Sequence, residues 1–306
     1  MTETMTLTTG NSRRRKPFRW SRALGWIALG VAIAASILPF YWMLRTSLSA
    51  NADLASGSGS LLPVGFNIGA YLRVFGLQSQ ADAMAQGGSG ASIDFWLYMG
   101  NSIVFATITT ACAVFFSSMA AYAFSRLRWR GRDKVFGLFL ATVLVPGIFT
   151  ALPNFLLVRN LGLLNTMAGL VLPYLFMTPF CIFFMRQFFL NMSREVEEAA
   201  MLDGAGPFRV FFRIVLPNAA APLATLALLT FMGQWNEYFW PLLVGTDDSS
   251  RVLTVGLGVF KSQSPQGAPD WSGLMAASLV AALPMLIMFF VFGKRIVNSI
   301  GFSGTK

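Results

Sequence analysis

The chain has no histidine and only two cysteines, and just 12% of its 306 residues are charged. The missing histidine removes imidazole acid–base catalysis and most zinc sites. Cys112 and Cys181 both lie in apolar runs, where a thiol packs as a small hydrophobe, and two isolated cysteines build no disulfide framework. No Gly-x4-Gly-Lys-Ser/Thr phosphate loop occurs. The nearest stretch, GLGVFKS from Gly256 to Ser262, has the wrong spacing, so any nucleotide hydrolysis must come from another chain. A soluble domain carries about 25% charged residues. The shortfall points to a solvent that penalises charge, and the lipid bilayer is that solvent.

What the chain does have is apolar length, with 55% hydrophobic residues. Six long stretches carry no Asp, Glu, Lys or Arg: residues 23–44, 95–125, 135–158, 160–185, 214–236 and 271–293. Each meets the roughly 20 residues that a spanning helix needs, which predicts an all-α membrane protein with six transmembrane helices. Residues 54–72 are also uncharged, but SGSGS followed by Pro63, Gly65 and Asn67 is loop chemistry. Prolines at 39, 146, 153, 173, 179, 222 and 284 each remove a backbone donor and predict kinked spans.

The net charge of +10 is unevenly placed. Basic residues crowd the N-terminal tail (Arg13, Arg14, Arg15, Lys16, Arg19, Arg22) and the loop after the second run (Arg126, Arg128, Arg130, Arg132, Lys134). They recur after the fourth run (Arg186, Arg194, Arg209, Arg213) and at the C-terminal end (Lys294, Arg295, Lys306). The alternate loops hold only Arg45, Arg73, Arg159, Arg251 and Lys261. This alternation puts both termini in the cytoplasm, and the basic balance is topological rather than a sign of nucleic-acid binding. SRRRKPF and Ala50-Asn51-Ala52 faintly resemble an export signal and its cleavage site. The first run is too long for a signal core, however, and ends in the interfacial residues Pro39, Phe40, Tyr41 and Trp42, which predicts a retained helix.

The most informative segment runs from Ser193 to Pro222 and reads as helix, sharp turn, helix. Ser193 can cap the first helix, with Glu195, Glu197 and Glu198 near its positive end. Gly204 can take the left-handed conformation that stops it, and Pro207 can start the next. Phe208, Phe211, Phe212 and Val215 follow at helical spacing as an apolar stripe, which Pro217 closes. Glu198-Ala199-Ala200, then Gly204, Ile214 and Leu216-Pro217 match at every spacing the Glu-Ala-Ala loop of the binding-protein-dependent ABC permeases, with Asp203 before the glycine. Residues 101–306 further resemble the second permease subunit of the carbohydrate-type, maltose-system importers. The stretches NSIVFATITT, AYAFSRLRWRGR, LGLLNTMAGLVLPY, QWNEYFWPLL and GKRIVNSIGFSGTK carry that likeness, with Ser299 standing where glycine is expected.

The resemblance implies the type I ABC importer permease fold and a mechanism. Two homologous permease subunits form the path. Each presents its loop, here Glu198, Ala199, Ala200, Met201, Leu202, Asp203, Gly204 and Pro207, as a coupling helix to one member of a cytoplasmic ATPase dimer. ATP and Mg belong to that partner, and this chain holds no cofactor and no metal. An extracytoplasmic solute-binding protein docks on the opposite face, and the chain sits in a bacterial inner membrane, surrounded by lipid. The implied organisation is a basic cytoplasmic tail (1–22), a first span with a long extracytoplasmic loop (23–94), a five-helix permease core (95–293) containing the coupling loop 190–217, and a cytoplasmic tail (294–306).

Glu237 reads as the one acid in an otherwise apolar span, far from Ile214 along the helix. Trp235, Asn236 and Glu237 are therefore candidates for contact with the solute path, against helix packing or mouth structure. Residues 45–94 read as a docking face or a solvated connector, ending in the flexible Gly87-Gly88-Ser89-Gly90. Three rival readings fit less well. An ion-coupled secondary transporter would show repeats and midplane charge, a channel would show a ring-forming polar motif, and a membrane enzyme would show clustered acids. The resemblance favours a sugar or sugar-like solute.

Overall fold

The structure, a computed structural model, describes residues 20–54, 59–88, 93–258, 260 and 269–301, with side chains described within 24–292. Arg13, Arg14, Arg15, Lys16, Arg19, Ser89, Gly90, Lys261 and Lys306 lie outside the described residues, as do the side chains of Arg22, Lys294, Arg295 and Ser299. Apart from one antiparallel bridge between Ser49 and Phe66, the regular structure among the described residues is helical.

The chain divides into two units, residues 1–43 and 44–306. The described part of the first is helix α1 (Trp20–Ser47), which continues past the boundary. Its stretch Leu24–Ser47 has a mean hydropathy of 2.0 and carries Pro39 without interruption. The second unit opens with two short helices, α2 (Gly69–Val74) and α3 (Gln80–Ala85), followed by α4 (Phe95–Ser125), an unbroken 31-residue rod. Asp94 starts the rod by accepting the Leu97 N–H at 3.0 Å, which satisfies one of the otherwise orphaned first-turn donors.

Three of the expected spans are bent pairs rather than rods. Helix α5 (Arg132–Ala141), extended by one tight turn to Leu144, meets α6 (Gly147–Asn160) at 96°. Helix α7 (Met167–Val171), extended to Tyr174, meets α8 (Pro179–Asn191) at 48°. After α9 (Glu195–Leu202), the run from α10 (Pro207–Val210) through α11 (Leu216–Asn218) meets α12 (Ala220–Trp235) at 79°. Two short helices, α13 (Phe239–Val244) and α14 (Leu253–Gly256), precede the last span, α15 (Trp271–Gly301). Three helices are long and apolar enough to cross a bilayer among the described residues, and six spans result when each bent pair counts as one.

The bends have local causes. A residue before proline is pushed out of the helical region. Val145 before Pro146 is accordingly extended (ψ 113°), and so is Thr178 before Pro179 (ψ 146°). Pro217 lies just before the break at Ala219. Pro39, Pro153 and Pro284 nevertheless sit inside continuous helices, so a proline alone does not predict a break. The fourth span also shifts from 160–185. Left-handed Gly162 and Asn165 turn the chain first, and the helix starts at Met167 behind the Thr166 cap. It runs to Asn191 through Arg186, whose guanidinium lies 4.1 Å from the Phe136 ring centre, a contact that offsets the charge.

Helix α4 packs against α8 and α12, α12 against α15, and α15 against α2. The buried face of α4 is lined by small residues (Ala106, Thr109, Ala113, Ser117, Ser118, Ala121), which let helix backbones approach closely.

Residues 45–88 are not a loose connector where they are described. Arg45, Thr46, Ser47, Ser49 and Arg73 are buried. Arg73 on α2 pairs with Asp270, just before α15, at 3.0 Å, and also donates to Ser272 Oγ at 3.0 Å. Asp270 in turn accepts the Gly273 N–H at 2.8 Å. Asn51 donates to the Gly87 carbonyl at 2.6 Å and accepts the Ser272 N–H at 3.3 Å. Long-range polar pairing of this kind is invisible to composition, which is why the stretch reads as loop. Asp270→Ala leaves the Arg73 charge buried and uncompensated, so we expect a loss of about 3–5 kcal/mol, seen as a lower unfolding temperature in detergent. An unchanged transition would contradict the pairing.

Candidate functional site

The segment after α8 forms the predicted helix–turn–helix. The residue preceding α9 is Arg194, and Ser193 contributes one step earlier, its Oγ accepting the Glu195 N–H at 3.3 Å. Glu195, Glu197 and Glu198 occupy the first turn, where the helix dipole favours negative charge. At the other end, the Ala205 N–H reaches the Ala200 carbonyl at 2.9 Å and the Gly204 N–H reaches the Met201 carbonyl at 3.0 Å. This is the Schellman closure, and it requires the residue between helix and turn to be left-handed. Gly204 has φ +84°, with nothing within 4 Å of where a Cβ would stand. Its glycine requirement is therefore conformational, not steric. Pro207 follows extended Gly206 and opens α10 at its first position, as expected of a residue with no N–H to satisfy.

The apolar stripe comes out differently. Residues Phe211–Val215 form a π turn, which adds a residue to the turn and rotates the helix beyond it. Val210, Phe211 and Val215 are buried, whereas Phe208 is 70% exposed and Phe212 is also exposed. Phe208 and Pro207 overhang an apolar cleft of about 170 Å³ against the end of α4, lined also by Met119, Tyr122, Leu127 and Phe211.

On α9 itself Glu198, Ala199, Met201 and Asp203 are exposed, Leu202 is 90% exposed and Ala200 is half-buried. Val196, Met201, Leu202 and Phe208 thus leave apolar surface uncovered around one small turn, a pattern that marks an interaction surface. Glu197 points the other way. It is buried and pairs with Arg126, immediately after α4, at 3.0 Å. Burial pushes the Glu197 carboxyl above the usual carboxylate range, against the downward pull of Arg126 and Arg194. Sequence alone assigns Glu197 only to the helix dipole and Arg126 only to a basic loop. Within SRLRWRGRDK and SREVEEAA nothing marks these two out from their charged neighbours.

Trp235, Asn236 and Glu237 form a joint between helices. Trp235 closes α12, buried and stacked on Phe231 at 5.9 Å. Asn236 donates to the Met232 carbonyl at 2.8 Å. Glu237 lies beyond α12 rather than inside a span, because the helix stops at Trp235. Its carboxylate accepts the Trp240 N–H at 3.2 Å at the start of α13, and its backbone carbonyl accepts from Thr254 Oγ1 at 2.7 Å. With α10–α11 and α12 bent by 79°, no straight helix connects Ile214 to Glu237. Among the described residues no group of three His, Cys, Asp or Glu side chains is placed to hold a metal.

The family model described as "Binding-protein-dependent transport system inner membrane component" matches residues 113–300, which include the whole helix–turn–helix. The chain is 31% identical over 265 residues to the diacetylchitobiose uptake system permease protein of Streptomyces coelicolor, covering 86% of this chain and 82% of that protein. It is 31% identical over 277 residues to the trehalose/maltose transport system permease protein of Thermococcus litoralis, covering 90% and 94%. It is 30% identical over 289 residues to an inner membrane ABC transporter permease protein of Escherichia coli, covering 94% and 97%. Among solved structures, a bacterial ABC transporter involved in the import of the acidic polysaccharide alginate superposes with a TM-score of 0.74 at 26% identity, over 91% of this chain and 99% of that one. The family match covers more than half of the chain and the relatives align over most of their length, so this chain belongs to the binding-protein-dependent transport system inner membrane components and is an inner-membrane permease subunit of an ABC importer.

Proposed function

We propose that the chain forms one half of the membrane path of a sugar importer and presents α9 and its turn to a cytoplasmic ATPase. The single observation that carries this reading is the Schellman-closed helix with uncovered Leu202, Met201 and Phe208 at its tip. Isolated exposed apolar residues are ordinary, but a rigid turn that concentrates them is a docking knob. In this assignment Glu198, Ala199, Ala200, Met201, Leu202, Asp203, Gly204 and Pro207 make the contact. The small Ala199 and Ala200 let the partner surface approach closely, and ATP and Mg reside on the ATPase dimer. The turn and both termini face the cytoplasm, as the placement of arginine and lysine favours. A second, homologous permease completes the path, and a solute-binding protein docks on the opposite face. The sugar assignment is supported by the diacetylchitobiose and trehalose/maltose systems to which the relatives belong.

The test is uptake by vesicles holding the purified complex with its ATPase, offered the solute of the neighbouring binding protein. Uptake is expected only with ATP inside. Uptake driven by an ion gradient with ATP absent would overturn the proposal in favour of secondary transport.

A further inference from the structure

Force from the ATPase has two physical routes out of α9. The route through the turn crosses left-handed Gly204, the π turn Phe211–Val215 and the 79° bend at Ala219 before it reaches α12. The turn itself is closed, but each of the three changes the direction of the chain, so a push along α9 does not continue along α12. The other route is short. We propose that the buried Arg126–Glu197 pair is a positioning element that bolts α9 to the end of α4, so that displacement of the coupling helix is delivered to the long second span directly. This inference rests on α9 being the coupling helix.

Several observations carry it. The two side chains are only 3% and 4% exposed, and the contact is 3.0 Å. The same Arg126 nitrogen donates to the carbonyl of Met192 at 3.0 Å, at the end of α8, so one guanidinium ties α4, α8 and α9 together. Helix α9 has few other attachments. Val196, Met201 and Leu202 are exposed, and Ala200 is its apolar residue packed onto the neighbouring buried cluster. Helix α4 is an unbroken rod of 31 residues, a stiff receiver of motion.

The energetics favour a geometric role over a stabilising one. Arg126 Nε and Nη1 are buried with no hydrogen-bond partner among the described residues. An incompletely satisfied buried ion pair is a poor source of stability, and apolar residues of similar volume often replace such pairs without loss. Glu197 Oε1 likewise has no hydrogen-bond partner among the described residues, so the 3.0 Å contact is an ion pair; what apolar residues cannot supply is this attraction between two specific points on separate helices. The pair therefore serves to hold α9 in register.

The test uses the complete importer in proteoliposomes, with Glu197→Gln, Arg126→Gln and the reversed pair R126E/E197R. The measured quantity is solute imported per ATP hydrolysed, together with the amount of ATPase that co-purifies. Each single variant is expected to retain its ATPase while imported solute per ATP falls about tenfold, within the range of ordinary coupling energies. The reversed pair is expected to recover most of the loss. An unchanged ratio overturns the inference, as does a reversed pair no better than the single variants. Loss of ATPase co-purification in the single variants also overturns it, because the pair would then serve assembly. If the wild-type importer itself shows no ATP-driven uptake, the permease reading fails first and separately.

Discussion

Gly204→Val is expected to abolish ATP-driven uptake while leaving the protein in the membrane at its normal level. The substitution meets no neighbour within the chain, since open space surrounds the site, so its effect on the turn itself comes from the backbone. A β-branched residue held at φ +84° costs about 1–3 kcal/mol, which shifts the closed turn by roughly 5- to 150-fold. The chain escapes the strain by unwinding the last turn of α9. That moves Met201, Leu202 and Asp203 and re-aims Pro207, although none of these residues anchors a span. Membrane level is read by immunoblot and function by uptake. Gly204→Asn should lie between wild type and valine, because asparagine tolerates the left-handed region better. Normal uptake by the valine variant would refute the role given to the turn.

Leu202→Asp is the second large expected effect, and it acts without touching the fold. At 90% exposure Leu202 makes almost no contact within the chain, and substitutions at such positions change stability by less than about 0.5 kcal/mol. An uncharged polar group forced into an apolar contact already costs on the order of 1–3 kcal/mol, and a carboxylate costs more, so the ATPase is expected to bind at least about 10- to 100-fold more weakly. The readout is co-purification and the affinity of the isolated ATPase for the reconstituted permease, with Leu202→Met as the tolerated control. Undiminished binding by the aspartate variant would move the docking surface elsewhere.

What the sequence makes legible is local chemistry. Gly204 and Pro207 announce the turn because each has a backbone preference that no neighbour alters. The charge-free runs announce the spans because lipid penalises every ionised side chain. What stays hidden depends on more than one segment. Spacing of three and four residues cannot register the extra residue of the π turn at Phe211–Val215, nor can it show that Phe208 stays exposed on the cleft where Phe211 is buried. Counting charges assigns Arg126 and Glu197 to separate loops, and only tertiary packing reveals that they meet. Glu237 reads as an acid within a span because its apolar neighbours continue to Val244, while the helix ends at Trp235.

The Arg73–Asp270 pair has a consequence for biosynthesis. Its partners are separated by 197 residues. A ribosome adding about 5–20 residues each second needs roughly 10–40 s to deliver the aspartate after the arginine has been made. Throughout that interval α2 and the stretch around it lack their main polar anchor. Chains truncated before residue 270 should therefore be degraded faster than the full-length chain in a pulse-chase measurement, and equal lifetimes would show that the pair does not protect this region.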